Sequence, residues 1–182
     1  MKLATGRYEL ELLDEPTYTS RSADNLRSYA REYVFGDAIT SRHGVLLRQA
    51  GGGEYSCIVL ASGGVTAVHE HSAVIVEGRS FLAVGDTLCA LALPSLELLW
   101  RRKVDTATCF GVYYSAEEDC LFSHGECEIA RLTLSGELVW SAMGGDIFTE
   151  GFALHADYLE AVDFNRFVYR ISVKTGDCRR VA

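Results

Sequence analysis

A repeat of about 40 residues is the sequence feature that most constrains the fold of this chain. The segment Leu91–Trp100 aligns with Leu132–Trp140 after one deletion, and both align with Ile171–Arg180. The starts of the three segments are 41 and 39 residues apart. A period of this size is typical of a four-stranded propeller blade, and a single unit is too small to bury both faces of its own sheet. The sequence therefore predicts a stack of small sheets that stabilise one another.

The strand pattern supports an all-β fold. From residue 55 onward, apolar runs of four to eight residues alternate with turns rich in Gly, Asp, Ser and Asn, and no stretch keeps helical periodicity over three turns. The N-terminal region holds the one predicted helix, Ser22–Phe35, where apolar residues recur at helical spacing. Those residues are Leu26, Tyr29, Ala30 and Tyr33.

The repeats resemble those of quinoprotein-type (PQQ-like) β-propellers. The middle unit has an apolar strand at Leu132–Leu134, a turn ending in Gly136 and a strand ending in Trp140. The resemblance covers three units, from about residue 73 to residue 181, with a degenerate fourth around residues 33–64. A complete ring of that kind needs about twice this length. The resemblance therefore implies the fold but not the cofactor-holding central site, and we expect no cofactor.

The last unit departs from this pattern, because Arg180 stands where a Trp is expected. We interpret Trp100 and Trp140, at equivalent repeat positions, as packing between sheets rather than as ligand platforms.

Alternation along the strands indicates whether the stack is open. Thr87–Leu93 is nearly apolar on both faces, which predicts a sheet covered on both sides. Residues 166–174 alternate between an apolar face and a polar one, as expected for a terminal repeat. We therefore predict an incomplete, open propeller-like stack of three to four small antiparallel sheets. The alternative is a closed four-bladed propeller, in which the strand Tyr8–Leu13 joins the last sheet and places Glu9 and Glu11 beside Arg170 and Lys174.

The predicted organisation is a single domain over residues 1–182. It divides into an N-terminal strand and helix (1–35), a degenerate repeat (36–72) and three repeats (73–108, 109–146 and 147–182).

Composition limits the range of functions. The chain has 48% hydrophobic residues and a formal net charge of −8, which is typical of one globular domain. Residues 51–150 carry five basic and fourteen acidic side chains, which argues against a surface that binds nucleic acid. No apolar run approaches the roughly 20 residues of a membrane helix, and no secretory signal is recognisable at the N-terminus. We expect a cytoplasmic protein with no membrane partner and with its six cysteines as reduced thiols.

Catalytic motifs are absent from the sequence, which predicts a protein that is not an enzyme. His69 and His71 lie two residues apart, so on a strand both imidazoles would point to one face and could bind a metal. No third ligand is evident, and we interpret the two histidines as exposed binding residues at a strand start, with no metal. A small hydrolase or metal-binding protein that uses these residues or the turn from His124 to Cys127 is one alternative.

The last repeat offers the strongest indication of function. Arg166, Arg170 and Lys174 follow one another at even spacing on its predicted outer face. A row of cations on a flat strand face suits pairing with the carboxylates of a protein partner. The sequence therefore predicts a non-enzymatic protein-binding module. The other alternative is a small acidic bacterial immunity-type protein that neutralises a basic toxin by charge complementarity.

Overall fold

The computed structural model describes residues 1–181, which form 17 strands in four sheets and contain no helix. Sheet 1 has the order β1-β2-β4-β5-β3 and contains β1 (Lys2–Ala4), β2 (Tyr8–Asp14), β3 (Arg31–Phe35), β4 (Ser41–Gln49) and β5 (Glu54–Ala61). Sheet 2 is a meander of β6 (Ala73–Val76), β7 (Arg79–Val84), β8 (Thr87–Ala92) and β9 (Leu98–Lys103). Sheet 3 repeats this order with β10 (Cys109–Ser115), β11 (Cys120–Gly125), β12 (Ile129–Thr133) and β13 (Leu138–Ala142). Sheet 4 does so with β14 (Gly151–Leu154), β15 (Tyr158–Val162), β16 (Val168–Ser172) and β17 (Cys178–Arg180). None of the described residues forms a helix with the length and hydropathy of a membrane span.

The predicted all-β open stack is confirmed. One apolar cluster lies between sheets 1 and 2, a second between sheets 2 and 3, and a third between sheets 3 and 4. Within residues 1–181 no apolar cluster joins sheet 4 to sheet 1, so four sheets share three interfaces instead of closing a ring. The strand of the closed alternative, β2, pairs with β1 and β4 inside sheet 1, and its predicted place in the last sheet is wrong.

The predicted helix over Ser22–Phe35 is wrong. Residues 15–30 form an irregular segment, which we call the cap segment, and β3 begins at Arg31. The Asn25 side chain accepts a hydrogen bond from the Thr19 backbone N–H at 2.8 Å and donates to the Thr19 carbonyl at 2.7 Å, which holds the backbone in a non-helical loop. Leu26, predicted on the apolar helix face, is 88% exposed.

Tryptophan residues fasten neighbouring sheets together. The Trp100 indole N–H donates to the Leu134 carbonyl of sheet 3 at 3.1 Å, and its ring lies against Gly136. Trp140 repeats the arrangement one sheet later, donating to the Val173 carbonyl at 3.1 Å. Each indole thus stabilises a sheet interface through one directional hydrogen bond and a large apolar contact.

In sheet 1 a tyrosine takes the place of the tryptophan and stabilises the interface with sheet 2. The Tyr33 hydroxyl on β3 donates to the Leu96 carbonyl at 2.8 Å and accepts from the Leu98 N–H at 3.1 Å. Leu96 occupies the sequence position of Gly136 in the next repeat and, like that glycine, has a positive φ, of 54°. Strand β3 runs parallel to β5, so a strand that precedes β4 in the chain supplies the outer docking residue of sheet 1.

Sheet 4 lacks the pair of aromatic residues, one Phe and one Trp, that sheets 2 and 3 each present to the following sheet. Phe81 opposes Ala90 on sheet 2, Phe122 opposes Arg131 on sheet 3, and Glu160 opposes Arg170 at the matching position of sheet 4. On the outer strands Trp100 opposes Ala90, Trp140 opposes Arg131, and Arg179 opposes Arg170. An aromatic pair that would face a following sheet is thus replaced by Glu160 and Arg179.

The strand register corrects the sequence alignment, which placed Arg180 at the Trp position. Sheets 2 and 3 have a register irregularity between their last two strands, next to Leu91 and Leu132, and sheet 4 pairs these strands regularly. Because sheet 4 lacks this irregularity, the residue that occupies the position of Trp100 and Trp140 is Arg179 and not Arg180. Arg180 turns to the other side of the sheet, where its guanidinium lies 3.2 Å from the centre of the Phe167 ring.

The cap segment closes the other end of the stack. Tyr18 and Tyr29 pack on Ile58 and Leu60, on the face of sheet 1 that points away from sheet 2. The buried carboxylate of Glu15, the first residue of the segment, accepts a hydrogen bond from the Tyr29 hydroxyl at 2.6 Å and forms an ion pair with Arg27. Within residues 1–181 the stack therefore has one covered end and one bare end.

Candidate functional site

The bare face of sheet 4, which we call the terminal face, points away from sheet 3. Leu159 and Ala161 of β15 pack toward sheet 3, so the alternating side chains of the same strand point outward. Directly paired residues of neighbouring strands lie on one face, which extends the assignment across the sheet. The terminal face comprises Gly151, Ala153, Tyr158, Glu160, Val162, Val168, Arg170, Ser172 and Arg179.

A charged row crosses the middle of the terminal face. Ala153 pairs with Glu160, Glu160 with Arg170, and Arg170 with Arg179. The Arg170 guanidinium lies 3.7 Å from the Glu160 carboxylate and 4.6 Å from the centre of the Tyr158 ring. Arg179 has no carboxylate within 4 Å among residues 1–181. The row therefore holds two arginines but only one carboxylate, which leaves a net charge of one positive unit.

An apolar row lies beside the charged row. Val162 pairs with Val168 in the ladder, and the N–H of Val181 donates to the Val168 carbonyl at 2.8 Å. Gly151, opposite Val162, adds no side chain and leaves this part of the face flat. Val181 and Phe164, at this end of the sheet, are 51% and 63% exposed. The terminal face thus combines apolar, aromatic and cationic side chains in adjacent rows.

The structure separates the three cations that the sequence placed in one row. Arg170 lies in the middle of β16, whereas Arg166 lies in the turn before this strand and Lys174 in the turn after it. Arg166 has a φ of 66°, and its N–H donates to the Asp163 carbonyl at 2.8 Å. The side chain that neighbours Arg170 is Arg179, which the sequence prediction missed. The strand register would have identified it, but only after the regular pairing of β16 with β17 was known.

The structure brings His69 and His71 together with a third histidine, His124. The three imidazoles belong to a chain of ring contacts, the ring cluster, at the inner edge of sheets 2, 3 and 4. Its members are His69, His71, Phe110, Tyr113, His124 and Phe152. His71 stacks on Tyr113 with centroids 4.5 Å apart, and His124 stacks on Phe152 at 4.7 Å.

Hydrogen bonds occupy both nitrogens of His69. Its Nε2 donates to the Phe110 carbonyl at 2.7 Å, and its Nδ1 accepts from the His71 backbone N–H at 3.2 Å. Burial lowers the pKa of His124 from 6.5 to about 4 and keeps its imidazole neutral at pH 7. Among the described residues no three His, Cys, Asp or Glu side chains have an arrangement that would hold a metal ion. In this structure His69 fastens the loop before β6 to β10.

Four of the six cysteines are buried in the sheets. All six are free thiols, and Cys57, Cys89, Cys109 and Cys120 are buried. Burial raises the pKa of the Cys57 and Cys109 thiols to about 12, so both remain protonated at pH 7.

Comparison with known proteins places this geometry among propellers. No protein-family model and no curated protein matches the chain. Among solved structures, BamB from Moraxella catarrhalis is 14% identical with a TM-score of 0.55, and the match covers 98% of this chain and 59% of that one. The chain has a propeller-type fold.

Two further structures agree with this fold. The computationally designed Ika8 protein is 12% identical with a TM-score of 0.56, over 81% of this chain and 47% of that one. A europium-containing methanol dehydrogenase is 17% identical with a TM-score of 0.50, over 63% of this chain and 24% of that one. The chain thus spans only about half of BamB and Ika8 and a quarter of the dehydrogenase, and at these identities the similarity shows the fold alone.

Proposed function

We propose that this chain is a non-enzymatic protein-binding module that docks a carboxylate-bearing protein on the terminal face. The observation that carries the proposal is the bare face itself, because every other broad sheet face of the stack packs on a neighbouring sheet or on the cap segment. A terminal repeat is expected to have a polar outer face, but the terminal face also presents aromatic and apolar side chains, which can contact a partner.

The side chains of the terminal face have the chemistry of protein interfaces. Arginine and tyrosine are the residue types that most often dominate binding energy, and here Arg170 stacks on Tyr158 at 4.6 Å. The stacking and the Glu160 contact hold the guanidinium in one orientation, which reduces the entropy lost on binding. The row of Val162, Val168 and Val181 supplies apolar area beside it.

The charge of the terminal face indicates which side chains the partner presents. Glu160 neutralises one of the two arginines, which leaves Arg179, on the outermost strand, as a planar donor with no carboxylate partner among residues 1–181. A guanidinium in this state binds a carboxylate through two parallel hydrogen bonds. The partner therefore presents an Asp or Glu side chain opposite Arg179 and an apolar patch opposite the valine row.

The test begins with capture of partners from the native host on the immobilised wild-type chain, followed by mass spectrometry. Each protein retained is then purified and titrated against the wild type, Arg170→Glu, Arg179→Glu and the control Arg7→Glu. Arg7 is an exposed cation in the turn before β2, and its substitution changes the net charge equally. We expect at least a tenfold loss of affinity for the two terminal-face variants and none for Arg7→Glu.

A charge-reversed partner provides the complementary test. Replacing the contacting Asp or Glu of the partner by Lys restores binding to Arg179→Glu if the pairing is direct. A host extract that yields no protein sensitive to Arg170→Glu or Arg179→Glu would refute the proposal.

A further inference from the structure

A cleft between sheets 1 and 2, at the opposite end of the stack from the terminal face, is a second candidate site. It has a volume of about 370 Å³, within the range of small-molecule sites. Its lining includes the Phe35 ring, the Asp86 carboxylate and two cations of β9, Arg101 and Lys103. Arg101 and Lys103 are two residues apart on one strand, so both side chains point into the same side of the sheet.

The cleft has an excess of positive charge. Lys103 forms an ion pair with the buried Asp86 carboxylate at 2.8 Å, and the Thr87 hydroxyl donates to the same carboxylate. Arg101 has no carboxylate within 4 Å among residues 1–181. Its guanidinium donates to the Val34 carbonyl at 3.2 Å and lies 5.0 Å from the centre of the Phe35 ring. A stacked, oriented guanidinium beside an ammonium group suits a single negative charge.

The next sheet interface is closed by a carboxylate. There the Asp105 carboxylate faces Gly125 and accepts hydrogen bonds from four backbone N–H groups, those of Ala107, Thr108, Cys127 and Glu128. At the interface of sheets 1 and 2 the equivalent glycine, Gly85, faces the backbone carbonyl of Ser62 instead. The Ser62 hydroxyl, on the cleft lining, is buried and has no hydrogen-bond partner among the described residues. The cleft's own carboxylate is that of Asp86, which Lys103 neutralises, so Arg101 is the cation left without a carboxylate partner among residues 1–181.

We propose that this cleft binds a small monocarboxylate, with the carboxylate held by Arg101 and Lys103 and the organic group against the wall of the cleft. The ligand supplies the negative charge that balances Arg101, since Asp86 balances Lys103. The site does not depend on the terminal face and goes beyond the protein-binding function.

Benzoate is the test ligand, and its neutral isostere benzamide is the control. Both are titrated into the ¹⁵N-labelled chain while amide chemical shifts are recorded. For benzoate we expect saturable shifts centred on Gly36, Ser62, Asp86 and Arg101–Lys103, and for benzamide at least a tenfold weaker effect.

Neighbouring arginines provide matched variants. Arg101→Gln removes the proposed carboxylate ligand, whereas Arg102→Gln removes a side chain that points to sheet 3 and donates to the Gly136 carbonyl at 2.6 Å. We expect at least a tenfold loss of benzoate affinity for Arg101→Gln and less than a twofold change for Arg102→Gln. Lys103→Gln, on the exposed side of the cleft, repeats the test if Arg101→Gln does not fold. The proposal is overturned if benzoate gives no saturable shifts, if benzamide binds equally well, or if the Arg101 and Lys103 variants bind like the wild type.

Discussion

The Trp140 indole lies flat against the backbone of Gly176, so that a Cβ at residue 176 would stand 2.8 Å from a ring carbon. The same indole donates to the Val173 carbonyl at the start of the turn. This contact joins sheets 3 and 4 and repeats the relationship of Trp100 with Gly136 between sheets 2 and 3. Because each contact needs a glycine facing the ring, the interfaces can be tested with single methyl groups.

Gly176→Ala is expected to destabilise the chain through both backbone strain and overpacking. Gly176 has a φ of 75°, and alanine at a positive φ costs about 1 kcal/mol. Displacing the indole adds about 1–3 kcal/mol. The control is Gly78→Ala, since Gly78 has a φ of 72° but no atom within 4 Å of its Cβ position. Urea unfolding at pH 7 measures both, and equal losses would show that the indole contact contributes nothing.

Tyr33→Phe tests the docking residue of sheet 1. The substitution leaves the Leu96 carbonyl and the Leu98 N–H without their hydroxyl partner at a partly buried site, which costs about 1–3 kcal/mol. Tyr8→Phe is the control, because Tyr8 also packs beside the cluster between sheets 1 and 2. Thermal unfolding compares the two variants, and a Tyr33→Phe variant as stable as Tyr8→Phe would contradict the docking role.

Acid is expected to destabilise the fold through His124. Its pKa is about 4 in the folded state and 6.5 in the unfolded chain, so the unfolded state binds more protons between these values. Stability is therefore complete above pH 6.5 and falls by about 2 kcal/mol as the pH falls from 7 to 4.5. Burial also lowers the pKa of His43, which adds to the loss in the same direction.

Two histidine variants separate this effect from general acid denaturation. His124→Phe keeps a ring beside Phe152 but removes the titrating group, so its free energy of unfolding should depend less on pH than that of the wild type. His155→Phe replaces an exposed histidine that stacks on Tyr158 and should keep the pH dependence of the wild type. Urea titrations at pH 7 and pH 4.5 measure the free energy of unfolding of all three proteins. If this free energy falls equally in all three, groups other than His124 cause the acid sensitivity.

Glu15→Ala is expected to release the cap segment. The substitution removes the acceptor of the Tyr29 hydroxyl and the ion-pair partner of Arg27, at a cost of about 2 kcal/mol. Burial raises the pKa of Tyr29, so its hydroxyl stays protonated and donates to Glu15 at neutral pH. Trypsin should cleave after Arg21 and Arg27 faster than in the wild type, while the exposed-carboxylate control Glu54→Ala should be cut at the wild-type rate.

The part of the fold that could be predicted from the sequence is the part that contains the 40-residue repeat. Trp100, Trp140, Gly136 and Gly176 recur at one spacing, and this spacing carried both the four-strand units and the packing between sheets. The N-terminal region has no such repeat. There Tyr29 and Tyr33 mimic helical spacing, although Tyr29 covers the outer face of sheet 1 and Tyr33 contacts sheet 2.

The candidate sites were less predictable because their residues meet between strands and sheets. The even spacing of Arg166, Arg170 and Lys174 has meaning only within a strand, and β16 includes only Arg170. His124 reaches His71 through Tyr113 and Phe152, which lie on two different sheets. The cleft had one local signal, the cationic run Arg101–Lys103 directly after Trp100, but its acid comes from the turn between β7 and β8 and its aromatic ring from β3.

The exchange of an aromatic pair for Glu160 and Arg179 also bears on self-association of the molecule. A sheet that ended in a Phe–Trp pair would accept another copy of the repeat, and head-to-tail addition of whole molecules would then grow into filaments. The charges across sheet 4 and the tyrosine-bearing cap segment over sheet 1 disfavour such head-to-tail addition. The two outer faces of the described stack, built from unrelated residues, therefore do not complement each other as the faces between its sheets do.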